Sequence, residues 1–137
     1  MRWLCLLYPL IVLWVSGCRR AQSDELPPEW LVSYVQRTDE PLRAVDPSNG
    51  IDAREAVAIA GVYMVQFVSG CGAPDEAHLQ GNTWVVELRL GLTGRKSDRT
   101  IEVDSRNGAV WGLGGPRYRD FQSFRYGVLT QIARNGH

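Results

Sequence analysis

Residues 100–111 read TIEVDSRNGAVW. Ile101 and Val103 alternate with Thr100, Glu102 and Asp104, the period-two pattern of a strand with one apolar face. Ser105, Arg106, Asn107 and Gly108 then supply turn chemistry, with Gly108 able to take a positive φ, and Ala109 to Leu113 returns antiparallel. Two registers compete. A four-residue turn pairs Val103 with Val110 on the core face and sets Trp111 beside Glu102 on the other face. A two-residue Asn-Gly turn would put Gly112 opposite Val103 and bury less, so the longer turn is expected.

Upstream, Thr83 to Leu92 alternates in the same way, with Trp84, Val86, Leu88 and Leu90 pointing inward and Glu87 and Arg89 outward. Before it lies the strongest helix start in the chain. Asp52 followed by Glu55 forms a capping box, and the helix runs from Ala53 to about Val68, stopped by Gly70, Gly72 and Pro74. Ala53, Val57, Ala60, Met64 and Phe67 recur at helical steps and form one face, with Glu55, Gln66 and Ser69 opposite. That face is expected to pack on Trp84, Val86, Leu88, Ile101 and Val103. Glu29 to Arg37 places Trp30, Leu31, Tyr34 and Val35 at helical spacing, and Thr38 to Gly50 reads as a loop. Downstream, Tyr118, Phe121, Phe124, Val128, Leu129 and Ile132 keep helical spacing up to an Asn135-Gly136 stop, a terminal helix docked on the domain. The fold class is therefore α+β: a helix on a small antiparallel sheet, with a short N-terminal and a C-terminal helix.

The first residues carry an address. Arg2 precedes an uncharged run, Leu4 to Val15, too short to cross a bilayer but suited to the apolar region of an export signal. Val15, Ser16, Gly17 and Cys18 follow, and this tetrapeptide resembles the lipobox of bacterial lipoproteins. The resemblance implies cleavage after Gly17 and a diacylglycerol on Cys18, giving a signal peptide over 1–17, a lipidated tether over 18–28 that ends in Pro27-Pro28, and one domain over 29–137. An Asp after the acylated Cys marks inner-membrane retention in Gram-negative lipoproteins. Arg19 stands there instead, which implies the periplasmic face of the outer membrane. Val68, Ser69, Gly70 and Cys71 repeat the tetrapeptide deep in the chain, where a Gly-Cys-Gly turn is the better reading. With Cys5 removed and Cys18 acylated, Cys71 is left without a disulfide partner, and the fold must rest on its core.

Composition narrows the function. The 137 residues carry 15 basic and 15 acidic side chains, so the net positive surface that nucleic-acid binding requires is absent. The chain holds 3 Cys and 2 His, too small a stock for a structural zinc site once the export signal is removed, and no metal or other cofactor is expected. No Gly-x-Ser-x-Gly elbow or phosphate-binding glycine loop occurs, and Gly112 to Gly115 leads to Pro116 rather than into a helix. Asp75, Glu76 and His78 form the one local acid and imidazole cluster, read as a solvated loop before a strand.

The capped Ala-rich helix, the Gly81-x-x-Trp84-x-Val86 strand and the hairpin Val103-Asp104-Ser105-Arg106-Asn107-Gly108-Ala109-Val110 resemble the PepSY type of small extracytoplasmic domain. The same elements, with Gly50-Ile51 ahead of the helix, also resemble immunity proteins of the nuclear-transport-factor-like cone fold. Either likeness covers about residues 50–113. Both imply binding rather than chemistry: a protease inhibitor or envelope sensor in the first case, a toxin-neutralising plug in the second. No catalytic residue is carried over. A ligand carrier or hydrolase built on the concave face of the sheet is the rival. The expected function is a membrane-anchored, non-catalytic module that binds an envelope protein through the outer sheet face, where Trp111, Glu87, Arg89 and Glu102 fall together.

Overall fold

The computed structural model describes residues 39–68, 72–91 and 93–135. Asp52 starts helix α1 (Ala53–Phe67): its side chain accepts from the Glu55 amide at 2.8 Å, and the Glu55 carboxylate accepts from the Asp52 amide at 2.9 Å. This reciprocal pair satisfies two donors that a helix start leaves open and stabilises by about 1 kcal/mol. Glu55 also accepts from the Asp46 amide at 2.8 Å, so one carboxylate fastens the helix start to the loop before it, where Pro47–Asn49 forms a short 3-10 turn.

Four strands follow: β1 (Gly72–Gln80), β2 (Thr83–Leu90), β3 (Arg95–Asp104) and β4 (Val110–Gly112). They form one antiparallel sheet in the order β1-β2-β3-β4. The β3–β4 hairpin adopts the expected register, with Val103 opposite Val110 and Glu102 opposite Trp111. Gly108 takes φ +71° in the turn, and a Cβ there would stand 2.9 Å from Cβ of Phe121, so both backbone shape and packing require glycine.

Helix α1 lies on the inner face of the sheet. Ile59, Ala60, Tyr63 and Met64 share one core with Val86, Leu88, Ile101, Val103 and Val110. Helix α2 (Phe121–Asn135) adds Phe121, Phe124, Val128 and Ile132, and Leu42 and Val45 come in from the N-terminal side. Tyr63, Phe67, Tyr118 and Phe124 meet with ring centroids 5.3–6.3 Å apart and tilted planes, joining the two helices. The expected α+β architecture is present.

Some local expectations change. Asp75, Glu76 and His78 lie in β1, not in a loop; the register shifts between Pro74 and Ala77, a bulge that interrupts the alternation which would have marked the strand. Residues 39–43 are helical where a loop was expected, and β3 begins at Arg95 rather than Thr100. On α1, Gln66 is buried and Val57 half-buried, because the buried face is centred on Ile59 and Tyr63 between the sheet and α2. Tyr118 precedes α2 and bridges to Val110, and Leu129 is 40% exposed. The export signal, Cys18, the tether, the 29–37 helix, Ser69, Cys71, Leu92 and Gly136 lie outside the described residues.

Candidate interaction face

Strand alternation and register decide what the outer face of the sheet presents. Cross-strand pairs align His78, Val85, Glu102 and Trp111 in one row from the β1 edge to the β4 edge. Thr83, Val85, Glu87, Glu102 and Trp111 are each only partly covered, whereas Val86, Ile101, Val103 and Val110 on the inner face are fully buried. Helix α2 contributes Phe121, Phe124, Val128 and Ile132 to the core on the inner side of the sheet, the side opposite Trp111.

At the β4 end, the Arg117 guanidinium carbon lies 4.6 Å from the Trp111 ring centroid, a cation–π contact. Arg117 is brought there by a tight turn in which Leu113 adopts φ +53°, a left-handed conformation that is costly for a residue with a Cβ. Packing of the Leu113 side chain against the core offsets that strain. Glu102, beside Trp111, has no ion-pair partner among the described residues. This end of the face therefore combines a large apolar ring, a cation and an uncompensated carboxylate.

The β1 end is different. Arg89 Nε stands 2.9 Å from Asp75 Oδ2, and Lys96 Nζ donates to Glu87 Oε2 at 2.8 Å. His78 Nε2 lies 3.4 Å from Glu87 Oε1 and 3.7 Å from Glu76 Oε2. The Arg89 guanidinium holds the Asp75 carboxyl below its usual range, and Lys96 does the same for Glu87. Both carboxylates are thus held ionised by neighbours, which suits charge pairing across strands rather than proton transfer. Asp75 Oδ2 is buried without an aligned hydrogen bond, so its partnership with Arg89 is ionic.

Of the four residues expected on the face, the structure brings Glu102 and Trp111 side by side, while Glu87 and Arg89 sit on the same side engaged in ion pairs of the domain's own. Arg117 and Lys96 were not anticipated, and Asp75, expected in a solvated loop, was not placed on this face. Extending β3 upstream in the same register would have set Asp98 opposite Arg89; the register shift between Glu87 and Arg89 is what brings Lys96 there. Among the described residues, no group of three or more His, Cys, Asp and Glu is placed to hold a metal ion. No described helix is long and apolar enough to cross a membrane. Comparison of the chain with protein families, with curated proteins and with solved structures found no match.

Proposed function

We propose that the protein is a lipid-anchored lipoprotein of the cell envelope that binds another envelope protein through the β4 end of its outer sheet face, as a non-catalytic, inhibitor-like module of the PepSY type. The observation that carries this reading is Trp111, partly exposed beneath Arg117 and next to Glu102, which has no ion-pair partner among the described residues, on the sheet face opposite the core. An aromatic ring set among charges supplies apolar contact area with a polar rim, the composition that interface anchors favour. The anchor itself is Cys18, with the lipobox as its support and a membrane as its surface; two or three acyl chains hold a protein stably where one does not.

Two experiments test the parts separately. Fatty-acid label should enter the wild-type chain and be absent from Cys18→Ser; label that persists in the variant removes the anchor. Recovery of an envelope protein by the folded wild type should fall at least tenfold, about 1.4 kcal/mol, with Trp111→Ala. Trp111→Ala leaves the inner core intact, so its melting midpoint should stay close to wild type. Equal recovery of every partner by the two proteins removes this face from the binding site.

A further inference from the structure

On the far side of α1 from α2's aromatic contacts, a groove of about 690 Å³ runs between Pro41, the helix surface of Val57, Gly61 and Val65, and the start of β1 at Ala73 and Pro74. Every described residue along it is apolar or glycine. Val65 is 67% exposed there, although the neighbouring Val62 and Met64 are buried. Gly61 lets β1 approach, since a Cβ on it would stand 3.3 Å from the Pro74 ring. A groove of this size holds a body as large as a small ligand, yet its described lining lacks the convergent polar groups that orient one. It suits apolar side chains.

We propose that residues Trp30 to Val35 of the same chain occupy this groove. Three observations select that occupant. The stretch reads WLVSYV, uncharged like the groove, with Glu29 and Arg37 beyond its ends. It carries two aromatic rings, each able to bury about 150–250 Å². The described chain begins at Asp39, and Pro41, just inside that beginning, forms one wall of the groove. Val35 is thus six residues from the wall, within about 20 Å even for an extended chain. A tether this short gives an effective concentration in the millimolar range, so weak apolar contacts suffice to seat the segment where a free partner would need high affinity. Seated there, Trp30 and Tyr34 close the exposed flank of α1 and set the point from which the rest of the N-terminal chain departs.

The test places a photoactivatable benzophenone side chain at position 65 of the full chain, expressed in cells. Val65 is exposed, so the exchange does not disturb the core. Illumination should give a product of monomer mass in which position 65 is joined to the tryptic peptide 21–37. With Trp30→Ser and Tyr34→Ser together, that product should fall about tenfold or more. The same probe at Leu79, exposed but outside the groove, should not yield it. A product of dimer mass, a link to another protein or to lipid, or no product at all overturns the proposal.

Discussion

The Tyr63 hydroxyl lies 2.9 Å from the Pro116 carbonyl oxygen and 3.0 Å from that of Gly112, deep in the core on a fully buried ring. One phenolic proton serves two carbonyls, and through them α1 grips both ends of the turn that follows β4. Burial raises the Tyr63 phenol above its usual range, with Tyr118 adding to the effect, so the group is a neutral donor. The turn has no room to spare: a Cβ on Gly115 would stand 2.5 Å from the Tyr63 hydroxyl. Arg117 follows directly, so the position of the cation over Trp111 is set from inside the core.

Tyr63→Phe tests this linkage without opening a cavity. The Pro116 carbonyl loses this donor, the Gly112 carbonyl keeps the Gly115 amide at 3.0 Å, and the expected cost is about 1 kcal/mol. That corresponds to a fall in melting midpoint of roughly 4–8 °C per kcal/mol for a domain of this size. Tyr63→Ala should cost about 3–5 kcal/mol, because the aromatic cluster then collapses around a void. A Phe variant that melts with wild type would show that the Pro116 carbonyl finds another partner.

Gly127 sits within α2, where helix propensity favours alanine by about 1 kcal/mol. Packing decides against it. A Cβ at 127 would overlap the Tyr118 ring and its hydroxyl, and Tyr118 is held by the bridge to Val110 and by Phe67 and Phe124. Gly127→Ala should therefore destabilise by about 1–3 kcal/mol, the range for overpacking. In a Tyr118→Ala background the same change should become stabilising. Denaturant titration of the four proteins measures the sign reversal, and its absence would mean that the ring moves aside at little cost.

Patterning made some of this architecture legible and hid the rest for physical reasons. The capping box, α1 and the Val103–Val110 register follow from turn chemistry and period-two alternation acting over a few residues. β1 escaped because its bulge places Asp75 and Glu76 in succession and Pro74 at its start, features that read as loop. Of its charges, Asp75 is paired by Arg89 from β2, information that is not local, while Glu76 and His78 stay more than half exposed. The buried side of α1 was displaced for a similar reason: α2 and Leu42 cover a flank that amphipathicity alone assigns to solvent. Of the candidate face, the adjacency of Glu102 and Trp111 follows from register, but Arg117 depends on the Leu113 conformation and the Tyr63 anchor, both tertiary.

The Asp39–Arg125 pair gives the domain an acid-sensitive joint. Arg125 Nε and a terminal nitrogen each donate to Asp39 at 3.0 Å, a bidentate pair between positions 86 residues apart, and Arg43 Nε adds a third bond at 3.1 Å. The Arg125 guanidinium, opposed by burial and helped by Arg43, holds the Asp39 carboxyl below its usual range. A carboxyl whose folded value is depressed contributes stability that is present above its unfolded value of about 3.9 and is lost as pH falls through the folded one. Asp39→Asn should accordingly destabilise at neutral pH by about 2 kcal/mol, below the range for a fully buried pair because the arginines keep part of their hydration. Arg125→Ala should cost more than Arg43→Ala, since the second change leaves the bidentate bonds in place. Unfolding free energies measured from pH 7 down to pH 3 should show the gap between wild type and Asp39→Asn narrowing below about pH 4. A gap that stays constant across that range would mean that Asp39 acts through packing of the helical residues 39–43 and not through its charge.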